Sequence, residues 1–188
     1  MTALHATSTC SLPHLALKPR EILPHESSDY LWRVEQGLVR TCTWDEDGDL
    51  VTLGLWGPGD CIGRRFSNMT PFEMESLCNV EVQAIPVFNQ DLVEVMRSHI
   101  RCMETLFRIN SYKRSPQRLL IFLQWLSNRF GQPVKHGQLI DLGLTHQLFA
   151  EITGINRITA TRLLNELERA GKIKQLPKQR IILPSPTS

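Results

Sequence analysis

A chain of 188 residues is long enough for one large or two small domains, each with its own core. Its 41% hydrophobic and 21% charged residues are ordinary for a soluble globular protein, and no window approaches the roughly 18 apolar residues of a membrane span. The net charge of +2 hides an asymmetry, because residues 1–87 hold six Lys/Arg against twelve Asp/Glu while residues 88–188 hold fifteen against seven. An acidic half joined to a basic half suggests a sensing or structural module followed by one that meets a polyanion.

The first 20 residues lack a signal-peptide pattern. Five cysteines (Cys10, Cys42, Cys61, Cys78 and Cys102) are odd in number, widely spaced and never in a C-x-x-C pair. That argues for reduced thiols in the cytoplasm rather than a disulfide frame or a zinc site. The six histidines form no metal-ligand spacing, and no acid/base or nucleophile cluster marks an enzyme. No cofactor or metal is expected.

Residues 1–17 mix Thr, Ser, His and Pro with little period and read as a poorly ordered arm. Residues 18–90 read as short strands. Tyr30 to Val34 alternates, Gln36-Gly37 turns into Leu38 to Trp44, and Asp47-Gly48 makes a hairpin turn into Leu50 to Trp56. Gly57-Pro58-Gly59-Asp60 breaks the chain again, and Glu81 to Val87 is a last strand. Strands this short and evenly spaced indicate a small β-barrel or roll.

Residues 91–112 are helical. Leu92, Met96, His99, Met103, Leu106 and Asn110 are spaced alternately four and three, the seam of a coiled coil that needs a partner; a helix packed on its own β-domain fits the same pattern. Residues 113–188 form the last unit. Ser115-Pro116 starts a helix that stops near Gly131-Gln132-Pro133.

Leu144 to Ala170 carries the functional signal. Thr145 caps a helix running to Thr153, Gly154 stops it and Asn156 caps the next. Small Ala150 lets the two helices cross closely, so the pair is a helix-turn-helix. On the second helix, Ala160, Leu163, Leu164 and Leu167 make the buried stripe, and Arg157, Ile158, Thr161, Arg162 and Asn165 face the other way. Two arginines one turn apart suit the major groove, where Arg bonds guanine O6 and N7 and an apolar side chain meets a thymine methyl. Lys172 to Leu183 adds a hairpin around Pro177-Lys178-Gln179 with Lys178 placed for phosphate, which makes the motif a winged one.

These motifs resemble those of the cyclic-AMP receptor and fumarate-nitrate-reduction regulator (Crp/Fnr) family. Tyr30 to Arg40 is similar to its β-roll strand–turn–strand, and Gly57-Pro58-Gly59-Asp60-Cys61-Ile62-Gly63 matches its G-x-G-D-x-x-G. Pro116 to Gly131 and Leu139 to Leu183 look closest to the cyanobacterial global nitrogen regulator. The resemblance implies an α+β fold: an N-terminal β-roll of jelly-roll type, a long dimerisation helix and a C-terminal winged helix-turn-helix. It implies that Arg157 and Arg162 read bases, that Ile158 stands where cyclic-AMP receptors carry a glutamate, and that Thr145, His146 and Gln147 meet backbone phosphate. The cyclic-nucleotide signature departs: Arg64-Arg65-Phe66-Ser67-Asn68 follows Gly63, with no phosphate-holding arginine–serine pair before Val87.

The function expected is a sequence-specific transcription regulator, homodimeric on a palindromic operator of double-stranded DNA and acting without cyclic AMP. RNA polymerase is the further partner, and the cytoplasm, at the nucleoid, is the place of action. The DNA-binding set is Thr145, His146, Gln147, Asn156, Arg157, Ile158, Thr161, Arg162 and Lys178. A second reading has the regulator gated by an anion on Arg64 and Arg65 or by cysteine redox state.

Overall fold

The computed structural model describes residues 12–24, 30–89 and 91–184. The N-terminal part is a roll of two sheets. One has the order β1 (His14–Leu17), β7 (Val80–Pro86), β2 (Tyr30–Gln36), β5 (Cys61–Ile62); the other runs β4 (Leu50–Trp56), β3 (Val39–Trp44), β6 (Glu73–Ser76). Between β2 and β3, Gly37 adopts φ 86, and a Cβ there would lie 2.3 Å from the Asn79 carbonyl oxygen. Only glycine fits such a turn without strain. The roll buries Trp32, Val34, Leu38, Leu55, Trp56, Ile62 and Met74.

The arm expected over residues 1–17 is corrected at its end, where the chain is a strand. His14 to Leu17 forms β1, whose register sets Leu17 opposite Val80. Leu15 and Leu17 alternate with exposed His14 and Ala16 and give this stretch an inward side; residues 1–11 lie outside the described residues.

The turn Gly57–Asp60 ties the roll to the helices. Asp60 Oδ2 accepts from its own turn at Gly57 N (2.9 Å) and from Arg129 Nη2 (2.7 Å), while Ser98 Oγ donates to Oδ1 at 3.3 Å. One carboxylate thus joins three elements, including α1 (Leu92–Ser111) and α2 (Ser115–Phe130).

Helix α1 starts at Asp91, whose carboxylate accepts from Val93 N and Glu94 N. It has two apolar sides. Cys102, Leu106 and Ile109 are buried against the roll, and His99 leans the same way with Nε2 2.9 Å from the Cys61 carbonyl oxygen. Val93, Met96, Ile100, Met103 and Phe107 stand exposed, Phe107 at 80%. The open stripe is therefore offset from the seam expected at Leu92, Met96, His99, Met103, Leu106 and Asn110. Met96 and Met103 lie on it, Leu92 is exposed at its start and Asn110 is exposed at the far end, but His99 and Leu106 (4% exposed) turn inward. Both sets of positions recur at three and four, so either could be the open one until the roll covers one side.

The C-terminal part packs α2, α3 (His146–Thr153) and α4 (Arg157–Arg169) on a four-stranded sheet of order β10 (Lys174–Leu176), β11 (Arg180–Pro184), β9 (Gly137–Ile140), β8 (Gln132–Val134). Hairpin β8–β9 falls where the sequence reads only as a break after α2. Phe122, Phe149, Leu163, Leu164 and Ile181 belong to a core continuous with that of the roll.

Candidate nucleic-acid interface

The helix-turn-helix forms from local signals. Thr145 Oγ1 accepts from Leu148 N at 3.1 Å and Asn156 Oδ1 from Thr159 N at 2.7 Å, so each helix begins on its own cap. Between them Gly154 has φ 61 and ψ 41, the left-handed conformation that ends α3, and Ile155 N donates to Ala150 O at 3.1 Å. Ala160, Leu163, Leu164 and Leu167 are buried, which turns the opposite face of α4 to solvent.

That face carries Arg157, Ile158, Thr161, Arg162, Asn165 and Arg169 on one shallow surface. Ile158 is 83% exposed, a large apolar group left in water between two arginines. Arg157 is exposed and in no ion pair among the described residues. Arg162 pairs with Glu166 at 2.7 Å across a solvated i,i+4 gap, an interaction weak enough to yield to a stronger acceptor. Arg169, one turn beyond Asn165, extends this face; the sequence set does not include it, although its four-residue offset from Asn165 points there.

The other expected residues have more specific places. His146 Nδ1 lies 2.9 Å from Thr161 Oγ1, which donates to the Arg157 carbonyl, so His146 and Thr161 join α3 to α4. Asn156 is engaged as a cap and sets Arg157 on the first turn. Gln147 is exposed and donates to Glu151 Oε1 at 3.1 Å. Asn165 accepts from Gln175 Nε2, whose backbone N and amide also bond Glu168. These bonds hold the Glu168 carboxyl below the usual carboxylate range and fasten the wing to α4. At the wing tip Lys178 has φ 61 and its side chain is exposed.

Arg64 and Arg65, the candidate effector residues, are separated in role. Arg64 Nη1 donates to the carbonyls of Ser67 (3.2 Å) and Met69 (2.5 Å), and the guanidinium sits 5.2 Å from the Phe72 ring centroid. It closes a loop rather than facing a ligand. Arg65 is exposed at the rim of a groove with Met96 and Ile100. Beside it, a cavity of about 240 Å³ lies under α1, lined mainly by Leu53, Trp56, Phe66, Phe72, His99 and Met103. His99 stacks on Trp56 with centroids 4.0 Å apart, and burial pulls its pKa below 6.5. Among the described residues no arginine or lysine lines this cavity.

The thiols of Cys42, Cys61, Cys78 and Cys102 are all raised, Cys42 to about 11, in each case by burial first. They stay protonated at neutral pH, which suppresses thiolate chemistry. Cys10 lies outside the described residues. Among the described residues no cluster of His, Cys, Asp or Glu could hold a metal ion, and no helix is long and apolar enough to cross a membrane.

A capped helix-turn-helix with a wing, an outward face of arginines and a long helix leading to a β-roll defines a DNA-binding transcription regulator. Residues 117–188 match the Crp-like helix-turn-helix domain. The chain is 40% identical over 185 residues to the regulatory protein CysR of Synechococcus elongatus, covering 96% of this chain and 90% of that one. It is 26% identical over 182 residues to the global nitrogen regulator of the same organism, covering 88% and 82%. The structure of FixK2 from Bradyrhizobium japonicum superposes with a TM-score of 0.75 at 19% identity, covering 93% of each chain. The protein belongs to the Crp/Fnr family of transcription regulators. Regulators of this family bind DNA and act as dimers.

Proposed function

We propose that the protein binds a palindromic operator as a homodimer, with Arg157 and Arg162 reading guanines, Ile158 meeting a thymine methyl and Lys178 meeting phosphate. The reading is carried by the exposure of Ile158 between unengaged Arg157 and loosely paired Arg162 on a helix whose other side is buried. An isolated exposed isoleucine means little, but here it is flanked by two groups able to fork onto guanine. A glutamate at this position would accept from cytosine; isoleucine cannot. Two such helices related by a two-fold axis meet half-sites about 34 Å apart. By likeness to the nitrogen regulator the half-sites are GTA and TAC, about eight base pairs apart. Selection from random DNA tests this directly: recovery of TGTGA half-sites, or of no palindrome, overturns it.

Replacing Arg157 with Ala should weaken operator binding by about 1–3 kcal/mol and relax choice at one base position. Replacing Lys178 should weaken all sequences alike and flatten the dependence of affinity on salt. Competition binding at two salt concentrations separates the two effects.

The regulator works without cyclic AMP. Among the described residues the cavity under α1 offers no arginine or lysine, and Arg64 is committed to loop carbonyls. Burying a cyclic phosphate without a paired cation is too costly for useful affinity. Isothermal titration should find no micromolar binding, and finding it would refute this point. Gating by another ligand in this cavity is the second reading, and its apolar lining favours an uncharged molecule over the anion expected from Arg64 and Arg65.

A further inference from the structure

Glu151 of α3 faces the roll. Its Oε2 accepts from Arg40 Nη1 at 2.7 Å, and its Oε1 accepts from Gln147 at 3.1 Å and lies 3.5 Å from Arg20 Nη2. Arg40 belongs to β3 of the roll, 111 residues earlier, and its side chain has no exposure at all. Its Nε donates to Glu75 Oε2 at 3.0 Å, its Nη2 donates to the same oxygen, and Glu75 Oε1 takes Arg20 Nη1 at 2.9 Å. Two arginines and two glutamates thus form a charge-balanced cluster that spans the roll and the DNA-binding unit.

The make-up of the cluster points to direction more than stability. Buried ion pairs are weak sources of stability, because desolvation offsets much of the attraction, yet they fix geometry. Arg20 adopts φ 73, a left-handed backbone that a side chain-bearing residue seldom takes, and from there its guanidinium reaches both Glu75 and Glu151. On Glu151 itself burial pushes the carboxyl upward, but the bonds from Arg40 and Gln147 and the charges of Arg40 and Arg20 outweigh it, so its pKa is lowered and it stays ionised. A second ionic link, Arg129 to Asp60, holds α2 to the turn at residues 57–60. Ionic contacts at α2 and at α3 thus join the helix-turn-helix unit to the roll at two separate places.

We propose that the Arg20–Arg40–Glu75–Glu151 cluster sets the half-site spacing that the dimer accepts, with Glu151 as a positioning residue for α4. The inference rests on the reading of a dimer that binds a palindrome. With α3 fixed to the roll, the distance and twist between the two α4 helices are fixed relative to the dimer axis. One extra base pair moves a half-site by 3.4 Å along the duplex and rotates it as well, which a fixed pair of heads cannot follow. Without the Glu151 link, each head can follow it.

The test uses full-length protein and palindromes whose central spacer varies over about six to ten base pairs, competed against one another, with a single half-site measured alongside. Wild type should prefer one spacing over its neighbours by about tenfold, equivalent to 1.4 kcal/mol. Glu151→Ala should reduce that preference to about threefold or less, with half-site affinity and base choice unchanged. Arg20→Ala, at a half-exposed residue, should broaden the profile in the same direction with little effect on melting temperature. Simple destabilisation would lower all affinities together without widening the profile. A wild-type spacing profile in folded Glu151→Ala and Arg20→Ala proteins overturns the inference. A flat profile in wild type instead overturns the dimeric-operator reading beneath it, and the two failures are distinct.

Discussion

Met103→Asp should yield a folded monomer. Met103 lies in the middle of the exposed stripe Val93, Met96, Ile100, Met103 and Phe107, whose alternating spacing of three and four suits a helix pairing with its copy. In a symmetric dimer the substitution enters twice, burying two unpaired carboxylates and costing several kcal/mol, on the scale of about 3–5 for an uncompensated buried charge. Binding to a full palindrome should fall steeply, while a single half-site loses much less. Light scattering reads the mass and circular dichroism the fold. Leu106→Asp is the instructive contrast, since Leu106 is packed inside its own chain at 4% exposure. That variant should lose its fold rather than its partner. A stable dimer from Met103→Asp would mean that some other surface joins the subunits.

Glu75→Ala should destabilise the fold by about 3–5 kcal/mol, the usual cost of stranding a buried charge. Arg40 has no exposure, and Glu75 accepts from two of its three guanidinium nitrogens. Glu151 remains to it, but through the third nitrogen alone. Arg40→Met should cost less, because it removes the charge that needs a partner, and Glu75 keeps Arg20 at 2.9 Å. Chemical denaturation of the three proteins decides the order. Equal losses from both substitutions would indicate that packing, not charge, dominates at this site.

The local elements were legible because their causes are local. Thr145, Gly154 and Asn156 each act on a backbone group within five residues, and the two faces of α4 follow from its own period once its caps are placed. The order of strand, turn and strand from Tyr30 to Trp56 has the same origin, since Gly37 and the Asp47-Gly48 turn are short-range devices. Where the reading head lies, and which of its side chains point outward, were therefore written in about 27 consecutive residues.

What the tertiary structure decided depends on contacts far apart in the chain. Helix α1 carries apolar groups at helical spacing on two sides, and only the roll's cover over Cys102, Leu106 and Ile109 selects the open one. Arg64 looked available for an anion until the loop from Ser67 to Thr70 folded its carbonyls around it. Strands β1, β8 and β9 are too short to announce themselves by period and exist because partners across the sheet complete their hydrogen bonds. Arg40 and Glu151 are 111 residues apart. No periodicity or local propensity links such a pair, because only the docking of α3 on the roll brings the Glu151 carboxylate to the buried Arg40 and makes each the other's counterion.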